Sequence, residues 1–175
     1  VTYSIIRKHC GYIRVLETGS AGTTFEIILP ATCEAAVAEY AAPRAADGAG
    51  SRILVMDDDE LVLDICTRML ERMGYSTVGV KDGDEAVRVY REALASGSRF
   101  DCVIMDLTIP GGPGGREVIK ILREFDPGIK AIVSSGYSND PVMSKYREYG
   151  FTGVSVKPYS FDELRAAVDA AISSR

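Results

Sequence analysis

Several features are scarce or missing in this chain, and each absence narrows the reading. No apolar run approaches the ~20 residues a membrane-spanning helix needs. Lys and Arg number 20 against 25 Asp and Glu, a net charge of −5, with no basic cluster, so nothing marks a nucleic-acid footprint. The four cysteines, Cys10, Cys33, Cys66 and Cys102, are scattered without a CxxC spacing. They read as reduced thiols of a cytoplasmic protein. No signal peptide is visible and the first residue is Val1, so the chain is expected to be an excerpt of a longer protein. There is no Trp and one His. What remains is ordinary for a water-soluble globular domain, with 46% apolar and 26% charged residues. The length of 175 residues suggests one domain plus additional segments.

The stretch that organises the chain is DCVIMDLTIP, residues 101–110. Four apolar residues run into Asp106 and then a loop rich in Pro and Gly. Such a run reads as a strand buried on both faces. A carboxylate at its C-terminal tip sits where open α/β sheets place ligands. Residues 53–56 repeat the pattern and end in Asp57, Asp58 and Asp59. If the two strands are parallel neighbours, at least three carboxylates converge. Close carboxylates repel, and protonation or a bound cation relieves them. A hard, oxygen-lined loop mouth suits Mg²⁺. An Asp beside that ion can act as a nucleophile toward phosphorus. The plainer reading, Asp as helix N-cap, accounts for one Asp per strand end but not for a cluster.

Taken in order, residues 1–10 read as a helix stopped by Gly11, 12–17 as a strand, 18–22 as a turn and 23–29 as a second strand closed by Pro30. A helix and a hairpin are too small to form a core alone. Residues 31–51, rich in Ala with Pro43, Gly48 and Gly50, read as a flexible linker. From 52 to 175, strands at 52–56, 76–80, 101–105, 130–134 and 153–156 alternate with helices at 60–73, 84–96, 115–125, 141–149 and 160–172. Leu61, Ile65, Met69 and Leu70 form the apolar stripe expected of the first of these helices. This alternation predicts an α/β fold, a doubly wound five-stranded parallel sheet. The strand order 2-1-3-4-5 is borrowed from flavodoxin and a receiver protein, known examples of such sheets. It would make the first and third strands neighbours. The fourth strand then ends in Ser134-Ser135-Gly136 and the fifth in Lys157-Pro158, which adds a hydroxyl and an ammonium to the acids. A transferred phosphoryl group needs a nucleophile, a cation and donors for its oxygens. Each signal alone is weak, but four in order at four successive strand ends are a strong joint signal.

This ordering closely resembles the receiver domain of two-component response regulators. ILVMDDDE, DCVIMDLTIP, IVSSG and VSVKP match that family's acidic, phosphoacceptor, hydroxyl and Lys-Pro strands over about 120 residues. The resemblance implies that Asp106 accepts a phosphoryl group from a phosphohistidine carried by a histidine kinase or phosphotransfer domain. It implies Mg²⁺ held directly by Asp58, Asp106 and the Thr108 main-chain carbonyl, with Asp57 acting through water. Ser135 and Lys157 would hold the phosphoryl oxygens, and Asp59 would be left to cap the following helix. Two departures stand out: Pro113 replaces a usual acidic residue, and Val154 replaces an aromatic that often switches position. Signal transmission is therefore expected to run through Ser135, Gly136 and Tyr137 more than through the fifth strand.

SIIRKHCGYIRVLETGSAGTTFEIILP looks like the C-terminal end of the ATP-binding domain of sensor histidine kinases, with Gly22, Thr23, Thr24 and Phe25 matching its last strand. The nucleotide-binding boxes and the phosphorylated histidine of that family lie upstream, so residues 1–30 should not bind ATP. His9 reads as a helix C-terminal residue favoured by the dipole. Together the two resemblances suggest a hybrid histidine kinase, which could itself be membrane-associated, with this portion touching neither membrane nor nucleic acid. No DNA-binding output domain is expected after Arg175. Two rivals stay open. One is an aspartate-nucleophile phosphatase of the haloacid-dehalogenase type that uses Asp57 within its Asp57-x-Asp59 motif. The other is a docking module without phosphoryl chemistry, against which the presence of all five key residues argues.

Overall fold

The computed structural model describes residues 2–20, 22–31, 50–136 and 140–174. The chain divides into two compact units, Val1–Ala42 and Pro43–Arg175. The expected linker lies almost wholly outside the described residues, as does Tyr137.

The first unit is a helix and a hairpin. Helix α1 (Thr2–Lys8) is followed by strands β1 (Tyr12–Gly19) and β2 (Gly22–Ile28), paired antiparallel from Tyr12↔Ile28 to Gly19↔Gly22. β1 runs two residues further than the sequence suggests, and β2 begins and ends one residue earlier. Gly11 is required where the helix meets the hairpin: a Cβ there would lie 2.6 Å from Leu29 Cδ2 and 2.8 Å from the Ile28 carbonyl oxygen.

The second unit is the five-stranded sheet. Its strands are β3 (Arg52–Met56), β4 (Ser76–Val80), β5 (Cys102–Asp106), β6 (Ala131–Ser135) and β7 (Gly153–Val156), all parallel, in the order β4-β3-β5-β6-β7. That is the expected 2-1-3-4-5. Its helices are α2 (Glu60–Arg72), α3 (Gly83–Ala95), α4 (Gly115–Phe125), α5 (Pro141–Ser144) and α6 (Phe161–Ser173).

Alternation along the strands builds two cores. Leu54, Met56, Val103, Met105, Ala131 and Val133 meet Ala86, Tyr90, Val118, Ile119 and Leu122 of α3 and α4. Ile53, Val55, Cys102, Ile104 and Ile132 point the other way, onto Cys66 and Leu70 of α2 and Leu164 and Val168 of α6. Helices on both faces explain why β3, β5 and β6 read as continuous apolar runs.

Two expectations need correction. Leu61 and Ile65 do not face the core; they are 66% and 42% exposed, whereas Leu70 of the same expected stripe is buried, Met69 is half-buried, and α2 adds Cys66, with Met73 just beyond it. The buried stripe is displaced around the helix from the one the apolar residues suggest. The single helix expected at 141–149 is broken into α5 and a 3-10 turn, Tyr146–Tyr149. Asp140 caps α5 through Val142 N, but the Ser144 hydroxyl donates to the Pro141 carbonyl that Lys145 N also uses, and Lys145 leaves helical geometry.

Candidate functional site

Four strand tips lie level at one edge of the sheet. Met56 is in register with Met105, Asp106 with Ser134, and Ser135 with Val156. The residues that end or follow these strands, Asp57, Asp106, Ser135 and Lys157, are therefore brought to one edge. The close packing behind Asp106 depends on glycine. A Cβ on Gly114 would sit 2.3 Å from the Leu107 carbonyl oxygen, and one on Gly115 2.8 Å from that of Asp106, so α4 begins hard against the backbone that carries the acid.

Lys157 binds the acids together. Its Nζ lies 2.5 Å from Asp57 Oδ2 and 2.9 Å from Asp106 Oδ2, with the three side chains between 2% and 15% exposed. Asp57 also accepts a hydrogen bond from Asp59 N at 3.2 Å. Burial pushes the Asp57 carboxyl above the usual carboxylate range; Lys157 opposes this and the Asp106 charge adds to it. Burial by itself would lower the Lys157 ammonium, but its two carboxylate partners hold it above the ordinary lysine value.

Asp57, Asp58 and Asp106 each present an oxygen within 4.8 Å of the others. Asp57 is buried, Asp106 half-buried and Asp58 exposed, so the cluster opens to solvent through Asp58. Three acids facing one lysine leave the cluster short of positive charge. An all-oxygen donor set with an open side fits a hard divalent cation that keeps part of its water shell.

Asp59 stands apart from this cluster: its side chain caps α2, accepting from Leu61 N and Val62 N. Thr108 lies in the loop after β5 and is exposed. Ser135 is 3% exposed, and its carbonyl accepts from Lys157 N at 2.9 Å. His9 belongs to the first unit, where its ring Nδ1 lies 2.9 Å from the Ile5 carbonyl oxygen, one turn back in its own helix.

The sequence reading passed over one residue beside the site. The Tyr159 hydroxyl shares a 2.7 Å hydrogen bond with Ser134 Oγ. Burial pushes its phenol up, and the nearby Asp57 and Asp106 charges push the same way. Its position two residues after Lys157 was the available signal.

The sequence model described as "Response regulator receiver domain" matches residues 53–169. The chain belongs to this family and is a receiver module of two-component signalling. It is 29% identical to the sensor kinase CckA of Brucella abortus over 177 residues, covering 96% of this chain and 18% of that protein. It is 27% identical to sporulation initiation phosphotransferase F of Bacillus subtilis, over 67% of this chain and 90% of that one. Among solved structures, a two-component response regulator of the LuxR family from Aurantimonas is 33% identical with a TM-score of 0.64, covering 72% of this chain and 87% of that one. The receiver domain of sensor histidine kinase PA1611 from Pseudomonas aeruginosa, solved with a coordinated magnesium ion, shares the fold at 24% identity. Its TM-score is 0.62, with 72% of this chain and all of that chain covered.

The phosphatase alternative finds no support. Asp57, its required nucleophile, is 1% exposed and held by Lys157, while the more accessible Asp106 ends the central strand. Among the described residues, no helix is long and apolar enough to cross a membrane.

Proposed function

We propose that Asp106 is the phosphoacceptor of this receiver and that its phosphoryl group comes from a phosphohistidine on a histidine kinase or phosphotransfer domain. One Asp106 carboxylate oxygen forms the new O–P bond as the P–N bond breaks, and the departing imidazole nitrogen takes up a proton. Asp58, Asp106 and the Thr108 main-chain carbonyl are the proposed direct ligands of Mg²⁺, with Asp57 acting through water. The ion would supply the positive charge that the acid cluster lacks and that an anionic donor needs. Lys157, released from part of its bond to Asp106, and the Ser135 hydroxyl would hold the phosphoryl oxygens. The observation that carries this reading is the Lys157 ammonium bridging Asp57 and Asp106, a cation already placed where charge must be balanced.

The wider reading is a hybrid sensor histidine kinase: residues 1–30 as the tail of an ATP-binding domain, 31–51 as a linker and 52–175 as the receiver, in the cytoplasm. It is supported by the likeness to a sensor kinase, which extends over 96% of this chain and so beyond the receiver match.

Incubation with Mg²⁺ and acetyl phosphate tests the acceptor. The P–O bond of the donor breaks, acetate leaves, and peptide mapping should place one phosphoryl group on Asp106. Asp106→Asn should abolish the mass gain. Undiminished labelling of that variant, or a phosphoryl group on Asp57, would overturn the assignment.

A further inference from the structure

The Ser134–Tyr159 bond lies between the two residues that would grip the phosphoryl group. Ser134 is fully buried, pairs in register with Asp106 on one side and Ser155 on the other, and immediately precedes Ser135. Tyr159 follows Lys157 by two residues and immediately precedes Ser160, the cap of α6. Its ring packs against the core that holds Cys66, Ile104 and Leu164, so the hydroxyl is aimed at β6 by packing. The bond therefore joins the tip of β6 to the segment that leaves β7, beyond the last ladder pair, Ser135↔Val156. A buried hydroxyl pair could serve burial alone, since each group costs free energy without a partner. A tie made for burial alone has no reason to span these two tips.

We propose that Tyr159 is a positioning residue. Its hydrogen bond to Ser134 holds Ser135 and Lys157 at the spacing where both meet a phosphoryl group on Asp106. The inference rests on the acceptor reading given above. Phosphoryl transfer depends on placement, and small displacements of the groups around the reacting atoms cost rate steeply. Tyr159→Phe removes one oxygen and keeps the packed ring. With Ser134→Ala it completes a double-mutant cycle in which both single variants break the same bond.

The test uses the whole chain with Mg²⁺ and saturating acetyl phosphate, and reads the rate of phosphoaspartate formation alongside Mg²⁺ affinity. Tyr159→Phe and Ser134→Ala should each slow formation by about three- to tenfold, the range expected for one net hydrogen bond. The double variant should be no slower than either single one, and Mg²⁺ affinity should stay at the parent value. A parent rate in Tyr159→Phe, whatever happens to its melting temperature, would overturn the proposal and leave Tyr159 a packing residue. Losses that multiply in the double variant would overturn it as well, because the two hydroxyls would then act separately. If the parent chain itself is not labelled on Asp106, the acceptor reading falls first and this inference falls with it. A labelled parent beside an unaffected Tyr159→Phe variant sinks this inference alone.

Discussion

Strands β2 and β3 are written in similar letters and end in opposite surroundings. In β2, Phe25, Ile27 and Ile28 are 59%, 50% and 53% exposed; in β3, Ile53 to Met56 are at most 1% exposed. Both strands form by backbone pairing, β2 on one side in a hairpin and β3 on both sides in the sheet. Burial needs more, namely a second layer on each apolar face. The receiver unit supplies helices on both sides of β3. The first unit has one seven-residue helix, and Ile6 is its only large apolar side chain buried among the described residues. Strand formation is thus a property of the segment, and burial a property of what surrounds it.

The widest gap should appear on truncating matched isoleucines. Ile104→Ala removes a side chain that is 1% exposed beneath the α2–α6 layer, and should cost about 2–5 kcal/mol in urea unfolding. Ile27→Ala should stay within about 0.5 kcal/mol, as surface changes do. A comparable loss at Ile27 would break the comparison, since the hairpin would then have to be covered by another surface in solution.

The same contrast explains what could be read before the structure. The spans of β3, β4, β7 and α4 follow from local pattern, and β5 and β6 differ by one residue at each end. Runs closed by turn residues have few ways to pair in a doubly wound sheet. Asp57, Asp58, Asp106, Ser135 and Lys157 could be singled out because they stand at or just beyond strand ends, which a parallel sheet gathers on one edge, although which strands are neighbours is borrowed from known sheets. The face of α2 could not be read, because Leu61 and Ile65 are as apolar as the residues that are buried. Helical spacing does not say which of two adjoining stripes meets the sheet. The break after Ser144 is accompanied by a hydroxyl that shares the Pro141 carbonyl with Lys145 N, and the Ser134–Tyr159 bond joins side chains 25 residues apart. Neither leaves a periodic trace.

A smaller difference should separate the charges of the two units, beginning with Asp126. This residue is 9% exposed; its Oδ2 accepts from the Tyr90 hydroxyl at 2.7 Å and from Arg99 at 3.1 Å, and its Oδ1 accepts from Gly128 N. Burial pushes the carboxyl up, but these donors outweigh it and hold it below the usual carboxylate range. With the folded value below the unfolded value of about 4, the charged form stabilises the fold above that pH. This contribution disappears as pH falls through the folded value. Asp126→Asn should cost about 1–3 kcal/mol at neutral pH, the range for losing bonds to a charged group. It should also flatten the fall of stability with acid below about pH 4. An acid limb as steep as the parent's would show that other carboxylates set it.

The least effect is expected at Arg14 and Glu26, which face each other across β1 and β2 with Nε and Oε2 2.6 Å apart. Their separation is shorter than the 3.1 Å between Arg99 and Asp126, yet their side chains are 53% and 30% exposed. Water and salt screen such a pair, and holding two long side chains together offsets much of the attraction. Arg14→Gln should therefore leave the unfolding midpoint unchanged at low and at high ionic strength, while Asp126→Asn lowers it at both. The comparison is sharpest here because distance alone would rank the pairs the other way. If Arg14→Gln causes a clear loss that added salt does not reduce, the pair must be shielded from solvent. The β1–β2 hairpin would then carry a covering layer after all, and its contrast with the receiver would be one of missing neighbours and not of sequence.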